Sequence, residues 1–281
     1  MIPFRPGQLG ICGSLNAIIG SLDIIKKYRL AHESARFTAE WVFEESLETD
    51  IDTYQRIIPG NIAALAMHGI SGYIRDCANL GHPSPDLRLH AKKKYLQCVE
   101  RCERLKAKHI VFHQWHMPHR VPGFNTDDWL RQADIWPEIG DAAQKFGILI
   151  VLENDCTPLP ELAVSLIERI NHPNVKLHLD IAHAQVQSKA PIKDWIDAVS
   201  PHLRCLHINN NDGIKDLHQP LSDGIIDYAL VFEWLQPFWN QLEMIAIETD
   251  PNQRDDFIKS LNYLESLGLI NTSEIVYPPS N

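Results

Sequence analysis

Six residues able to bind a cation or move a proton stand at the ends of short apolar runs: His68, His113, Glu153, Asp180, His207 and Glu248. Neutral imidazole and ionised carboxylate are the ligands of Zn²⁺, Mn²⁺ and related divalent ions, so this set gathered on one rim would compose a metal site. A single strand-end histidine is well explained by a structural hydrogen bond. Several ionisable groups buried together are not, because carboxylates without counter-charge are unfavourable there and a cation is the simplest compensation. Two spacings extend the set. Asp180 and His183 lie three apart in LDIAHA, where the sixth run turns, so both can face one cavity. Asp216 and His218 lie two apart in the polar loop that follows His207 and Asn209, which suits one face of an extended segment.

Positioning these groups requires strands that end side by side. Strand-like runs fall near Leu9 to Cys12, Ala35 to Val42, Ile62 to Met67, His109 to Phe112, Ile148 to Leu152, Val175 to Leu179, Leu203 to Ile208 and Met244 to Ile247. Helical periodicity fills the gaps over Leu15 to Tyr28, Leu89 to Leu105, Asp127 to Phe146, Pro160 to Arg169, Ile192 to Val199, Val231 to Leu242 and Asn252 to Leu267. In the second of these, Tyr95, Leu96, Val99, Cys102 and Leu105 mark one face, and Lys92, Lys93, Lys94, Glu100, Arg101 and Arg104 form a solvated face opposite. About eight strand–helix units predict an α/β fold, a (β/α)₈ TIM barrel, as one domain over residues 1–281. Such a barrel opens the C-terminal ends of all its strands onto one face. A doubly wound open sheet is the alternative, weakened because no GxGxxG follows the first run.

Composition sets outer bounds. The chain has 281 residues, 44% hydrophobic and 22% charged, enough for a sizeable core. No apolar run approaches a membrane span, and MIPFRPGQLG lacks a basic region followed by an apolar one, so the expected location is cytoplasmic. The six cysteines form no CxxC pair and read as reduced; Cys98 and Cys102, four apart, read as core packing. A formal charge of −10 argues against a nucleic-acid partner held by bulk electrostatics, although an acidic protein can carry a local basic face. A homo-oligomer is compatible with all of this.

The segments VLEND, HLDIAHA, LHINNNDG with KDLHQPLSDGIIDY, and AIETD resemble the xylose-isomerase-like TIM-barrel superfamily over roughly residues 60–250. That superfamily groups sugar and sugar-phosphate isomerases and epimerases with the endonuclease-IV type of apurinic endonuclease. The ketose epimerase branch implies a mononuclear site of Glu153, Asp180, His207 and Glu248. In it the two glutamates flank the substrate carbon and exchange its proton, while His183 contacts a substrate oxygen. The endonuclease branch implies a trinuclear zinc site on His68, His113, Glu153, Asp180, His183, His207, Asp216, His218 and Glu248. Departures from both patterns are visible. LENDC and DIAH replace the endonuclease sequences after the fifth and sixth strands, and Asp212 and Gly213 stand where the epimerases place a substrate-binding Arg.

The resulting expectation is an enzyme using one to three divalent ions (Mn, Zn, Co or Mg) on a small polyhydroxylated substrate. Its reaction would be isomerisation or epimerisation through a metal-stabilised enediolate, with Glu153 and Glu248 as base and acid and His183 on a substrate oxygen. Cleavage of abasic DNA by three zinc ions is the alternative. Glu40, the aromatic Trp115 with His116 and His119, and the cations Lys215 and Arg120 are further rim candidates, for the cavity, a sugar face and a phosphate respectively.

Overall fold

The computed structural model describes residues 2–5, 7–13, 38–42, 64–69, 79–114, 126–188, 190–249 and 254–270, without the side chains of 38–42, 64, 65, 68, 128 and 254. Eight parallel strands close into a barrel: β1 (Leu9–Gly13), β2 (Thr38–Val42), β3 (Ala64–His68), β4 (His109–His113), β5 (Leu149–Glu153), β6 (Val175–Asp180), β7 (Leu203–Ile208) and β8 (Met244–Ile247). Closure is made where Ile11 of β1 pairs with Ile247 of β8. All eight coincide with the apolar runs expected of strands covered on both faces.

The period-two alternation of a strand explains the placement of the polar rim. On the outer face Ile110, Phe112, Ile150, Leu152, Leu177, Leu179, Leu206, Ile208, Ile245 and Ile247 belong to the main core, together with the fully buried Trp129, Trp136, Trp195 and Trp239. On the other face Ala66, Val111, Val151, Cys205 and Met244 form a separate apolar cluster. His113, Glu153 and His207 each lie two positions beyond a member of that cluster. The barrel interior is therefore largely apolar below, where β6 adds the buried His178 beside His207, and ionisable at its C-terminal mouth.

The helices among the described residues are α1 (Pro85–Leu105), α2 (Thr126–Leu130), α3 (Trp136–Lys145), α4 (Pro160–Ile170), α5 (Ile181–Gln187), α6 (Ile192–Val199), α7 (Tyr228–Leu235) and α8 (Arg254–Ser266). α1 begins four residues earlier than its periodicity indicates, because Pro85 occupies its first position, where a missing N–H is harmless. Two expected continuous helices are broken. A 3₁₀ turn over Arg131–Asp134 separates α2 from α3 ahead of Pro137, and another over Gln236–Gln241 follows α7 at Pro237. The turn expected in LDIAHA is the start of α5, with Asp180 as its N-cap: Oδ1 accepts from the His183 N–H at 2.7 Å. Of the expected solvated face Lys93, Glu100 and Arg104 are exposed, while Lys92 is half-buried against α3, 2.8 Å from Glu138. The helix expected over Leu15 to Tyr28 lies outside the described residues, as do Cys77, Trp115, His116, His119 and Arg120.

Asn210 ties together distant parts of the long loop between β7 and α7. Asn210 Nδ2 donates to the carbonyls of Leu221 (2.8 Å) and Ile226 (3.1 Å), its Oδ1 accepts from Ile226 N, and its backbone pairs with Gln219. Gly224 passes so close that a Cβ there would lie 2.2 Å from Asn210 Oδ1 and 2.5 Å from the Asn211 carbonyl. Gly224→Ala is expected to destabilise the protein by about 1–3 kcal/mol through this overpacking, read as a lower urea midpoint at unchanged slope.

Candidate metal centre

Glu153 closes β5 and is wholly buried. Its Oε1 lies 3.2 Å from His207 Nδ1 and 3.3 Å from His183 Nδ1, and its Oε2 lies 3.3 Å from His113 Nε2. Asp180 closes β6, with Oδ2 receiving the Asn209 amide at 3.3 Å and standing 3.9 Å from His207 Nδ1. Glu248 follows β8, held by its N–H donating to Ile208 O at 3.1 Å, and its Oε2 lies 3.0 Å from the same His207 Nδ1. One donor atom from each of Glu153, Asp180, His207 and Glu248 falls within 4.8 Å of the others.

This convergence has a chemical meaning. A single imidazole nitrogen carries one proton or one lone pair, so it cannot satisfy three carboxylates at once. Glu248 Oε2 and His183 Nδ1 are buried without a hydrogen bond of acceptable geometry, although each lies close to another site atom. Neighbouring donors around an ion with bonds of about 2.0–2.2 Å stand roughly 3–3.5 Å apart; Glu153 and Glu248 meet that spacing from His207 Nδ1, at 3.2 and 3.0 Å, and Asp180 stands slightly farther out at 3.9 Å. The donor set therefore fits a divalent cation.

The same conflict appears in the proton affinities. Burial opposes ionisation of Glu153, but His207 and His113 outweigh it and hold the carboxyl well below the usual range. Burial works likewise against Glu248 and is overcome by His207. Asp180 goes the other way, to about 7, because burial and the neighbouring Glu153 and Glu248 outweigh His183 and His207. His113 and His218 are each pushed up to about 10: burial opposes charging them, but Asp155 and Glu153 favour the imidazolium at His113, and Asp216 and Glu248 do so at His218. Without a cation, the site balances its carboxylates with protons.

A second group adjoins the first. His183 Nε2 and His218 Nε2 each lie 3.2 Å from Asp216 Oδ2, and His218 Nδ1 lies 3.0 Å from the Glu248 carbonyl. His218 adopts a left-handed φ of 49°, which turns its ring toward that carbonyl. His113, Glu153, Asp180, His183, His207, Asp216, His218 and Glu248 are thus brought to one place. The His68 backbone reaches the same rim at the end of β3, while its side chain, like that of Glu40, lies outside the described part. Lys215 is exposed on the seventh loop.

Supporting residues escaped the sequence reading. Asn154 clamps Asp180 from the next strand, accepting its N–H at 2.7 Å and donating to its carbonyl at 3.0 Å. The Asp155 Oδ2 lies 3.2 Å from His113 Nδ1. The Tyr228 hydroxyl brackets the Asn209 backbone, accepting its N–H at 3.0 Å and donating to its carbonyl. Both Asn154 and Asp155 sit in VLEND directly after Glu153, and adjacency to a strand-end glutamate was their one available signal.

Fold and site together define a (β/α)₈ barrel with an imidazole–carboxylate centre at its C-terminal mouth. The description "xylose isomerase-like TIM barrel" belongs to the family model that matches residues 43–267. The chain belongs to this family. It is 25% identical over 138 residues to D-psicose 3-epimerase of Ruminiclostridium cellulolyticum, a match covering 46% of this chain and 47% of the relative, so it spans about half the length of that curated protein. Among solved structures, a Thermus thermophilus protein soaked with ZnCl2 superposes with a TM-score of 0.73 at 23% identity, covering 92% of this chain and 97% of the other. A D-tagatose 3-epimerase-like protein superposes with a TM-score of 0.72 at 20% identity, covering 92% and 96%. No helix among the described residues is long and apolar enough to cross a membrane.

Proposed function

We propose that this protein is a divalent-metal-dependent isomerase or epimerase of a small sugar or sugar phosphate. The observation that carries the reading is the four-donor group of Glu153, Asp180, His207 and Glu248, with its two glutamates rising from β5 and β8. The epimerase names among its relatives support the substrate class. A bound divalent ion would supply Lewis acidity, polarising a substrate carbonyl and acidifying the neighbouring carbon-bound hydrogen. Glu153 and Glu248 act on that hydrogen from two sides of the cavity, one removing it as base and the other returning a proton as acid. Asp180 and His207 hold the ion, with Asn154 and Asn209 fixing Asp180. His183 reaches a substrate oxygen from the first turn of α5. The buried cysteines outside any disulfide, Cys12, Cys98, Cys102, Cys156 and Cys205, suit a cytoplasmic setting, and one barrel domain over 1–281 suits the chain length.

The test is exchange of the substrate hydrogen with solvent. Manganese- or cobalt-supplemented protein is incubated in D₂O with ketohexoses, ketopentoses and their phosphates, and deuterium incorporation is followed by NMR. The reading requires deuterium next to the carbonyl of at least one sugar together with its epimer or isomer. Unlabelled, unchanged sugars across the panel would overturn it.

A second reading, a trinuclear phosphodiesterase on abasic DNA, draws on the adjoining group of His183, Asp216 and His218. Nicking of an abasic duplex by zinc-loaded protein separates the two activities.

Asp155 provides a milder probe. A carboxylate behind an imidazole fixes its tautomer, and losing such a partner typically costs about 10–100-fold in metal affinity or activity. Asp155→Asn is expected to weaken zinc binding within that range if His113 is a ligand, and to leave it unchanged if only the four-donor group binds. Calorimetric titration with zinc reads the difference.

A further inference from the structure

The two oxygens of Glu248 face different chemistry. Oε2 looks to His207 Nδ1 at 3.0 Å, whereas Oε1 accepts the thiol proton of Cys12 with Sγ 3.4 Å away. Cys12 lies one residue before the end of β1, and β1 pairs with β8 through Ile11 and Ile247. The next residues after these two are Cys12 and Glu248, so barrel closure itself brings sulfur to the site. Cys12 is 2% exposed, and its Sγ, a ring nitrogen of the wholly buried His207 and an oxygen of Glu248 all fall within 4.8 Å of one another.

Among the described residues three donor sets overlap at His207, one of them Glu153, His178 and His207, and the other two differ in their hard and soft donors. One is rich in oxygen (Glu153, Asp180, Glu248, with His207), and the other contributes sulfur, nitrogen and oxygen (Cys12, His207, Glu248). Carboxylates favour hard ions such as magnesium and manganese, while thiolate favours zinc, cobalt and cadmium. We propose that Cys12 is a ligand selected by the ion: thiophilic metals draw its sulfur into the centre, and hard metals leave it as a thiol donating to Glu248. This rests on the metal-centre reading above. On coordination the S–H bond breaks, the sulfur keeps the electron pair and donates it to the ion, and the proton leaves to buffer. Glu248 then loses its S–H donor, so the identity of the ion changes the setting of a proposed acid–base residue. A serine in this position would keep the hydrogen bond and lose the preference.

The experiment compares wild type with Cys12→Ser and Cys12→Ala after metal stripping, each checked for native circular dichroism. Cobalt and cadmium are titrated in while sulfur-to-metal charge transfer is followed in the ultraviolet, manganese is titrated calorimetrically, and the zinc protein is examined by X-ray absorption. Expected are a charge-transfer band saturating with metal in wild type, a zinc–sulfur shell at about 2.3 Å, and the loss of both in the variants. Cadmium affinity falls by roughly 10–100-fold, at least the effect of losing a group behind a metal ligand, and manganese affinity is unchanged. Stoichiometric cobalt or cadmium without a sulfur band in wild type, or a band that survives in the variants, overturns the proposal while leaving the metal centre standing. Failure of wild type to bind any of the ions, manganese included, overturns both.

Discussion

Glu248→Gln is expected to lower turnover by roughly 10²–10⁴-fold at saturating metal, the range supplied by general acid–base catalysis, with the barrel still folded. The amide keeps the shape of the carboxylate, and its oxygen can still accept from Cys12, but it cannot take up or release the proton. Glu153→Gln is expected to lose as much turnover; both variants also lose a donor to the ion, and Glu153→Gln loses more of the affinity. The difference lies in their surroundings: His113, His183 and His207 all approach Glu153 within 3.3 Å, whereas His207 and Cys12 are the close partners of Glu248. Removing the charge at Glu153 leaves more imidazolium uncompensated in a buried place, and burying unpaired charge is costly. Steady-state assays over a manganese series separate the effects, since a lost ligand is partly restored by metal and a lost proton carrier is not. Near-normal turnover in both variants would remove the two glutamates from the mechanism.

The barrel was legible because its strands are short, apolar on both faces and bounded by polar residues, a pattern that leaves little freedom in placing them. Helix ends were harder to read. Apolar periodicity runs through Pro137 and Pro237, while the backbone must break there because proline has no N–H to donate. LDIAHA looked like a turn although its capping hydrogen bond, from His183 N to Asp180 Oδ1, is local, because residue type assigns Asp180 to the site and the same carboxylate also caps the helix. The ionisable rim was legible from residue type and strand-end position. Its supports were not: Asn154, Asp155, Asn209 and Cys12 are common residue types whose roles depend on which neighbour faces them across the barrel. Cys12 meets Glu248 across 236 residues of chain, a relation fixed by closure of β1 on β8 and by no local pattern.

Removing the metal is expected to abolish turnover and lower the melting temperature, with both restored by adding the ion back. An ion that binds only the folded state stabilises it by about 2.7 kcal/mol at a hundred times its dissociation constant, a margin that thermal denaturation resolves readily. The pH dependence of binding follows from the proton that the ion displaces. In the metal-free site Asp180 titrates at about 7, raised by burial and by Glu153 and Glu248, so below that pH an incoming ion must expel a proton. Affinity for the four-donor group therefore rises with pH through the region of 7 as Asp180 gives up its proton. The outer imidazoles His113 and His218 titrate at about 10, so a site that recruits them keeps gaining affinity well beyond that point. Titrations of stripped protein at several pH values, in buffers of differing ionisation enthalpy, read affinity and proton release together. One ion per chain supports the mononuclear epimerase-like centre, and about three ions, with protons released from the outer imidazoles as well, move phosphodiester substrates to the front. Full activity and an unchanged melting temperature in stripped protein would mean that the carboxylates and imidazoles at this barrel mouth do their work with protons alone.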